Sequence, residues 1–438
     1  MINKLKAKIL KLDSHTLDVV RKSFKAMSVK IAGMIIGLIV SVSLGRILGS
    51  EGLGIINLTS TIASLLVVIT LFGFSNVLVK NIALSVHNRN WRIINNNIYT
   101  SKWFNGSLAI FVVIIGVPSV SILSEGIFRN PSLEIPLIIA VVMIIPQTFS
   151  RIFASGLIGF QKIWQSNLVN DTLSIVIVGF GILVSKILDV KITVVNVAII
   201  YAIGRFVVMC SVFLYWKTIF NYEGRKKFIL KPMLKMALPL LLISGTSIVA
   251  SNSDILMIGW LNDMKQVGLY TVAARLALLV SLFLQVSNAA ISPKLATLFA
   301  SNNIAEIDVL VKQVTLGLVL IGVGFLIFFT LGGEWVLSLW GSEFKEAHLI
   351  LIILAVGQFF NISTGCAGMI LIMCGYEKLH SRISLFSVVL NIALNYVLIL
   401  SYGAVGAAVA TAITVTFENI LKLIVVKNKT GILTIPKF

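Results

Sequence analysis

The chain has 438 residues, of which 58% are hydrophobic and only 12% charged, with a mean hydropathy of +1.00. A soluble domain carries about 25% charged residues, so a water-soluble globular protein is excluded. Lys and Arg outnumber Asp and Glu by 36 to 17, for a net charge of +19, yet the basic stretches lack the interleaved aromatics of a nucleic-acid binder, and no nucleic acid is expected as a partner.

Residues 1–25 hold Lys4, Lys6, Lys8, Lys11, Arg21, Lys22 and Lys25 but no apolar core of a signal peptide. With Leu5, Ile9, Leu12 and Val19 near helical spacing, they read either as a basic helix on the cytoplasmic lipid surface or as a disordered tail. Apolar runs follow at 26–46, 54–78, 103–123, 133–157, 165–185, 192–216, 236–261, 266–290, 312–337, 347–373, 381–401 and 403–426. Each reaches the roughly 20 residues that cross hydrocarbon. Only helices satisfy their own backbone there, so the expectation is an all-α integral membrane protein of about twelve spans. Gly33 and Gly37 form a GxxxG on the first span, and Gly403, Gly406, Ala407, Ala408 and Ala410 give the last one a small-residue face. Pro118, Pro146 and Pro239 lie in or at the ends of spans, where they either kink a transport pathway or serve packing.

The loops set the orientation. The N-terminus, 79–102, 151–164, 217–235, 291–312, 374–382 and the C-terminal tail hold 26 of the 36 Lys and Arg, and the alternate loops hold six. The positive-inside rule then places both termini in the cytoplasm. The longest polar stretches are 79–102 and 217–235, and there is no GxxxxGK[ST] phosphate loop, so a fused ATPase is excluded. No loop clusters the carboxylates or histidines of an enzyme. Cys210, Cys366 and Cys374 show no CxxC spacing, and His15, His87, His348 and His380 are scattered, so neither a metal nor a cofactor is expected.

Residues 48–57 (LGSEGLGIIN) and 261–271 (LNDMKQVGLYT) look alike, and Gly54 aligns with Gly268, 214 residues on. That offset is near half the chain. It predicts two six-helix bundles, 26–216 and 236–426, related by a parallel repeat and joined by the basic linker 217–235, with a tail at 427–438.

The stretches LGRILGSEGLGIINLTSTIASLLVVITLFGFSNVLVKNIA (44–83), LPLLLISGTSIVASNSDILMIGWLNDMKQVGLYTVAARLALLV (238–280), NIALNYVLIL (391–400) and YGAVGAAVATA (402–412) resemble bacterial polysaccharide exporters of the Wzx O-antigen flippase type. One departure is that Asp254 is followed by Ile255 rather than a basic residue. The resemblance implies a flippase of the bacterial inner membrane. It would carry an undecaprenyl-pyrophosphate-linked oligosaccharide, such as an O-antigen unit for lipopolysaccharide, to the outer leaflet by alternating access. Membrane lipids and polysaccharide polymerase machinery are the expected partners. The chain lacks the two further spans of lipid II flippases, which points to the twelve-span branch. An ion-coupled small-molecule or drug antiporter of the same superfamily is the alternative.

Ionisable groups inside spans are costly and mark candidate sites. Lys30, Asp171, Arg205, Asp254, Arg275 and Glu418 qualify. Arg275 falls about 15 Å into the eighth span and Asp254 about 10 Å from the outer end of the seventh. The two either form a substrate site, with Arg275 on phosphate and Asp254 as counter-ion or proton relay, or a static pair. Lys30, Arg205 and Arg46 are further cationic candidates for the lipid diphosphate; snorkelling and anchoring are their other readings. Asp171 and Glu418 read as structural. Asn76, Ser251, Asn252 and Ser253 either bond sugar hydroxyls or link helices, and Trp91, Trp103, Trp216, Trp260, Trp335 and Trp340 read as an interfacial belt.

Overall fold

The computed structural model describes residues 14–222, 224–301 and 303–435, with side chains from residue 25 on except that of Asp171. The basic segment expected at 1–25 therefore lies outside the described residues as far as residue 13, and the chain is helical from Ser14. Among the described residues every regular element is a helix. They are α1 (Ser14–Leu71), α2 (Phe74–His87), α3 (Trp91–Ser121), α4 (Glu134–Val142), α5 (Ile144–Gly159), α6 (Ile163–Asn167), α7 (Leu173–Ile187), α8 (Val194–Ile219), α9 (Leu230–Leu261), α10 (Met264–Ala300), α11 (Ile304–Ser338), α12 (His348–Ser363), α13 (Ala367–Met373) and α14 (Glu377–Thr430).

Ten stretches of the described residues are long and apolar enough to cross a membrane. Two of them, Lys25–Leu71 and Glu377–Thr430, contain a glycine with non-helical backbone, Gly49 (φ 71°) and Gly403 (φ 57°). A helix of more than 50 residues would be about 80 Å long, well beyond the roughly 30 Å of hydrocarbon. Dividing both at their glycines turns ten stretches into the twelve segments expected from the sequence. The outer faces stay apolar and open, with Leu331 83% and Ile187 79% exposed, as lipid contact allows. The protein has a multi-pass membrane fold.

Breaks inside the segments have local causes. Pro146 has no N–H for the carbonyl four residues earlier, and the helix is interrupted there, between Val142 and Ile144. The span expected at 54–78 is broken at Phe72 and Gly73, both at positive φ, before α2 resumes. Gly73 is required at this point: a Cβ would sit 2.4 Å from the Ala237 carbonyl oxygen.

The chain forms two compact units. One comprises the first helix up to Leu44 with Ile62–Gly126 and Pro131–Gly245; the other comprises Gly45–Thr61, Ile127–Asn130 and the chain from Thr246 onward. In the first unit the GxxxG of α1 packs as small-residue motifs do, Gly33 against Thr172 and Gly37 against Ile175. Trp216 is 4% exposed and joins Phe153, Phe160 and Phe220 in an aromatic cluster. It is therefore a packing residue rather than part of an interfacial belt. The same correction applies in the second unit to Trp340, 2% exposed and packed on Gly45. Trp91, Trp103, Trp260 and Trp335 remain exposed.

In the second unit, the small residues of α14 are buried as a strip, with Ala407, Ala408 and Ala410 at 0% exposure. Gly54 and Gly268, aligned by the repeat, face one another. A Cβ on Gly54 would lie 1.9 Å from the Met264 carbonyl oxygen, and one on Gly268 would lie 2.0 Å from that of Ser50. The backbones of α1 and α10 meet there with no room for any side chain.

Candidate functional site

The second unit builds a buried polar cluster around Asp254. Helices α9 and α10 are antiparallel and joined by a turn of two residues, in which Asp263 caps α10 by accepting from the Gln266 N–H at 2.8 Å. Asp254 precedes the end of α9 by seven residues, and Tyr270 follows the start of α10 by six. At 1.5 Å per residue both lie about 10 Å from the turn, and the Tyr270 hydroxyl donates to Asp254 Oδ2.

The other partners come from α14 and depend on its kink. The Ala404 N–H, just past Gly403, donates to Gln266 Oε1 at 2.7 Å, so a side chain from α10 caps the second half of α14. The chain thereby turns back and sets Thr411 beside Asn391, whose amide donates to it at 3.4 Å. Thr411 Oγ1 donates to Asp254 Oδ2 at 2.7 Å, and Asn395 Nδ2 donates to Oδ1 at 2.5 Å. Ser253 and Asn395 both donate to Asn391 Oδ1, at 2.9 Å each. Asn395 is fully buried and its own Oδ1 has no partner. All three neighbours of the carboxylate donate to it. The cluster is thus a single acidic group in a shell of neutral polar side chains that donate to it.

Arg275 follows Tyr270 by five residues on α10 and is an exposed residue. Nη2 donates to Asn57 Oδ1 at 2.7 Å. Asn57 is 6% exposed, and its Nδ2 has no partner. The glycine contact explains the reach: Gly54 and Asn57 are three apart on α1, Gly268 and Arg275 seven apart on α10, so each pair shares a helix face. Where the backbones touch at the glycines, the longer side chains beyond them meet. Asn57 bonds Arg275, whereas Tyr270, Thr411 and Asn395 bond Asp254.

The other sequence candidates are dispersed. Arg46 lies at the α1 kink in the second unit, and its Nε donates to the Leu339 carbonyl at 2.6 Å. Beside it, Glu343 accepts from the Ser50 N–H at 2.7 Å and its hydroxyl at 2.8 Å, so the kink is clamped on the 339–343 turn. Lys30 is exposed on α1 and Arg205 half-buried on α8, both in the first unit. Glu418 accepts from Ser384 at 2.8 Å and pairs with Lys422 at 2.6 Å, a helix-linking role. Ser251 and Asn252 bond the carbonyls of Ser247 and Ile248 on their own helix, and Asn76 donates to Ser244 at 3.5 Å.

Tyr270, Asn391, Asn395, Thr411 and Asn57 were not singled out from the sequence. The available signal was the spacing of Asn391 and Asn395, four apart in an apolar span and so on one helix face.

Known proteins resemble this chain along most of its length. The family model described as "Polysaccharide biosynthesis protein" matches residues 19–299, and that described as MatE matches residues 239–397. A probable low-salt glycan biosynthesis flippase, Agl15 of Haloferax volcanii, is 26% identical over 92% of this chain and 83% of its own length. The capsular polysaccharide biosynthesis protein CapF of Staphylococcus aureus is 28% identical over 36% of this chain and 39% of its own. Among solved structures, an inward-facing multidrug resistance MATE transporter of the MOP superfamily superposes with a TM-score of 0.73 at 14% identity, over 92% of this chain and 98% of that one. The lipid II flippase MurJ in an inward closed conformation gives 0.70 at 15% identity, over 93% and 87%. The fold is therefore that of MOP-superfamily transporters, and the match over 19–299 shows that the chain belongs to the polysaccharide biosynthesis protein family.

Proposed function

We propose that this protein is a flippase for lipid-linked glycans. The observation that carries the reading is Arg275, an exposed arginine eleven residues into a membrane-spanning helix, steadied by the buried Asn57. An arginine inside a span marks a candidate functional position, and guanidinium matches the oxygens of a diphosphate with a planar fork. The glycan flippase of Haloferax volcanii, similar over 92% of the chain, supports the substrate class.

In this reading a polyprenyl diphosphate, undecaprenyl in a bacterial inner membrane, bears the oligosaccharide. An O-antigen unit is one such cargo, and a polymerase is the natural next partner. The cycle is alternating access, with both termini cytoplasmic. Lys30 and Arg205 are further cationic contacts. Arg46, although bound to a carbonyl, keeps an exposed side chain at the far end of the first span. Asp254 acts as counter-ion or proton relay. The protein moves its substrate and does no bond chemistry on it.

The test is complementation of a deletion strain. Arg275→Ala should leave the inserted protein at normal abundance while lipid-linked glycan accumulates on the cytoplasmic leaflet. Normal export by Arg275→Ala would remove this residue from the site, and a deletion strain with no accumulation would sink the flippase reading. The Asp254 cluster and the MatE match over 239–397 favour a second reading, an ion-coupled small-molecule antiporter. Drug resistance or Na⁺-dependent uptake conferred by the wild type would support that one instead.

A further inference from the structure

A second concentration of positive charge lies wholly in the first unit, away from the residues considered so far. Lys102, on the inward side of α3, places its ammonium 5.8 Å from the Phe153 ring centre and 5.9 Å from that of Phe213. Lys217, one turn beyond Phe213 on α8, lies 4.7 Å from the same Phe213 ring. One aromatic ring thus holds two ammonium groups, an arrangement favoured by the ring quadrupole and opposed by their mutual repulsion.

A third lysine arrives from the linker, whose backbone is strapped to α3. Asn95 donates to the Gly224 carbonyl at 3.1 Å, the Lys227 N–H donates to Asn96 Oδ1 at 2.8 Å, and the Ile229 N–H donates to Thr100 Oγ1 at 2.9 Å. Asn95, Asn96 and Thr100 are all buried. Lys226 therefore sits between two tethered backbone groups, and its charge acts on Lys102, as does that of Lys217. Among the described residues no carboxylate is ion-paired with Lys102, Lys217 or Lys226. Lys217 and Lys226 are exposed and Lys102 half-buried, so the cluster opens on one side. Three buried polar side chains thus tether the linker segment that carries Lys226 to α3, the helix that carries Lys102. The mutual repulsion of the three lysines is relieved when an anion enters.

The setting selects the anion. Trp91 and Trp103, on the same helix as Lys102, are 40% and 62% exposed, and Tyr99 packs edge-on to Trp103. Exposed Trp and Tyr mark the headgroup level of a bilayer. Lysine ammonium groups, compact and hydrated, suit phosphate as point charges. We infer that Lys102, Lys217 and Lys226 form a binding site for the phosphate of a membrane lipid, on an aromatic floor of Phe153 and Phe213. The lipid is either an anionic phospholipid of the surrounding leaflet or a polyprenyl diphosphate. The phospholipid assignment is independent of the flippase reading, whereas the polyprenyl diphosphate assignment rests on it.

Native mass spectrometry of the full-length protein in neutral detergent tests this. The probes are phosphatidylglycerol, phosphatidylcholine and undecaprenyl diphosphate. Each lysine near a headgroup is worth about 1 kcal/mol of attraction. Lys226→Gln should thus weaken binding of the anionic probe about fivefold, and the triple change Lys102→Gln, Lys217→Gln, Lys226→Gln about a hundredfold. Lys226→Arg should retain it, and Lys186→Gln with Lys191→Gln, which removes charge elsewhere, should leave it unchanged. Loss confined to phosphatidylglycerol assigns the site to a phospholipid; loss confined to undecaprenyl diphosphate assigns it to the carrier. Phosphatidylglycerol and undecaprenyl diphosphate both binding equally to wild type and a folded triple variant overturns the site. If the triple variant does not fold, Lys226→Gln on the exposed linker decides, and wild-type binding by it overturns the site.

Discussion

At the scale of single residues, Asp254 depends on how its shell is arranged. Its two oxygens accept from Tyr270, Thr411 and Asn395. In Asp254→Asn one acceptor becomes an amide donor facing the Asn395 amide. A flip of Asn395 relieves the clash, because its Oδ1 has no partner, but breaks its bond to Asn391. The loss is about one hydrogen bond, or about 1 kcal/mol. Asp254→Leu strands three donors and should cost about 3 kcal/mol or more. Thermal unfolding in detergent should therefore separate the two variants clearly, while transport fails in both if Asp254 relays a proton. Arg275→Lys should keep the charge but lose the fork, leaving export between wild type and Arg275→Ala. Asp254 and Arg275 stand out in the sequence because charge is rare in a span. Asn391, Asn395, Thr411 and Tyr270 do not, since neutral polar residues in a membrane helix usually bond within the helix, as Ser251 and Asn252 do here. Their convergence follows from a kink, and a kink is not written in hydropathy.

At the scale of elements, that kink is the sensitive point. Gly403 has φ 57° and ψ −137°, and a Cβ there would lie 2.2 Å from Gln266 Oε1, the cap of the following helix. Gly403→Ala is expected to destabilise by about 1–3 kcal/mol through backbone strain and to displace Thr411 from Asp254. A lowered melting temperature together with impaired transport would show this, and an unchanged melting temperature would refute the strain argument. The twelve segments were legible because each apolar run is long enough to span. The continuity of α1 and α14 across Gly49 and Gly403 was not, since hydropathy falls at a turn whether or not the helix resumes. The break after Leu71 was equally hidden, as it is set by the Ala237 carbonyl against Gly73.

At the scale of the whole molecule, twelve crossings, an even number, would put residues near both ends of the sequence on one side of the membrane. A fluorescent protein fused to the C-terminus should fold and emit, since the Lys and Arg bias assigns that side to the cytoplasm. A phosphatase active only outside the cell should stay silent at the same position and become active when fused after Ala347. The reverse pattern would overturn the topology. The overall architecture was readable because lipid permits so few structures. The charged residues that α3, α8 and the linker gather in the first unit were visible only as loop charges, because their meeting depends on the hydrogen bonds of Asn95, Asn96 and Thr100.

The contact between Gly54 and Gly268 bears on how such a chain can evolve. After an internal duplication two equivalent positions start alike and drift apart, each answerable to its own surroundings. Here the equivalents are each other's surroundings: an atom added at either is met by the backbone beside the other, within 1.9–2.0 Å. Neither can accept a side chain first, and no change at one makes room for a change at the other. The pair should remain glycine in every functional descendant, and in a saturation library the two positions should show the same intolerance, although they lie 214 residues apart.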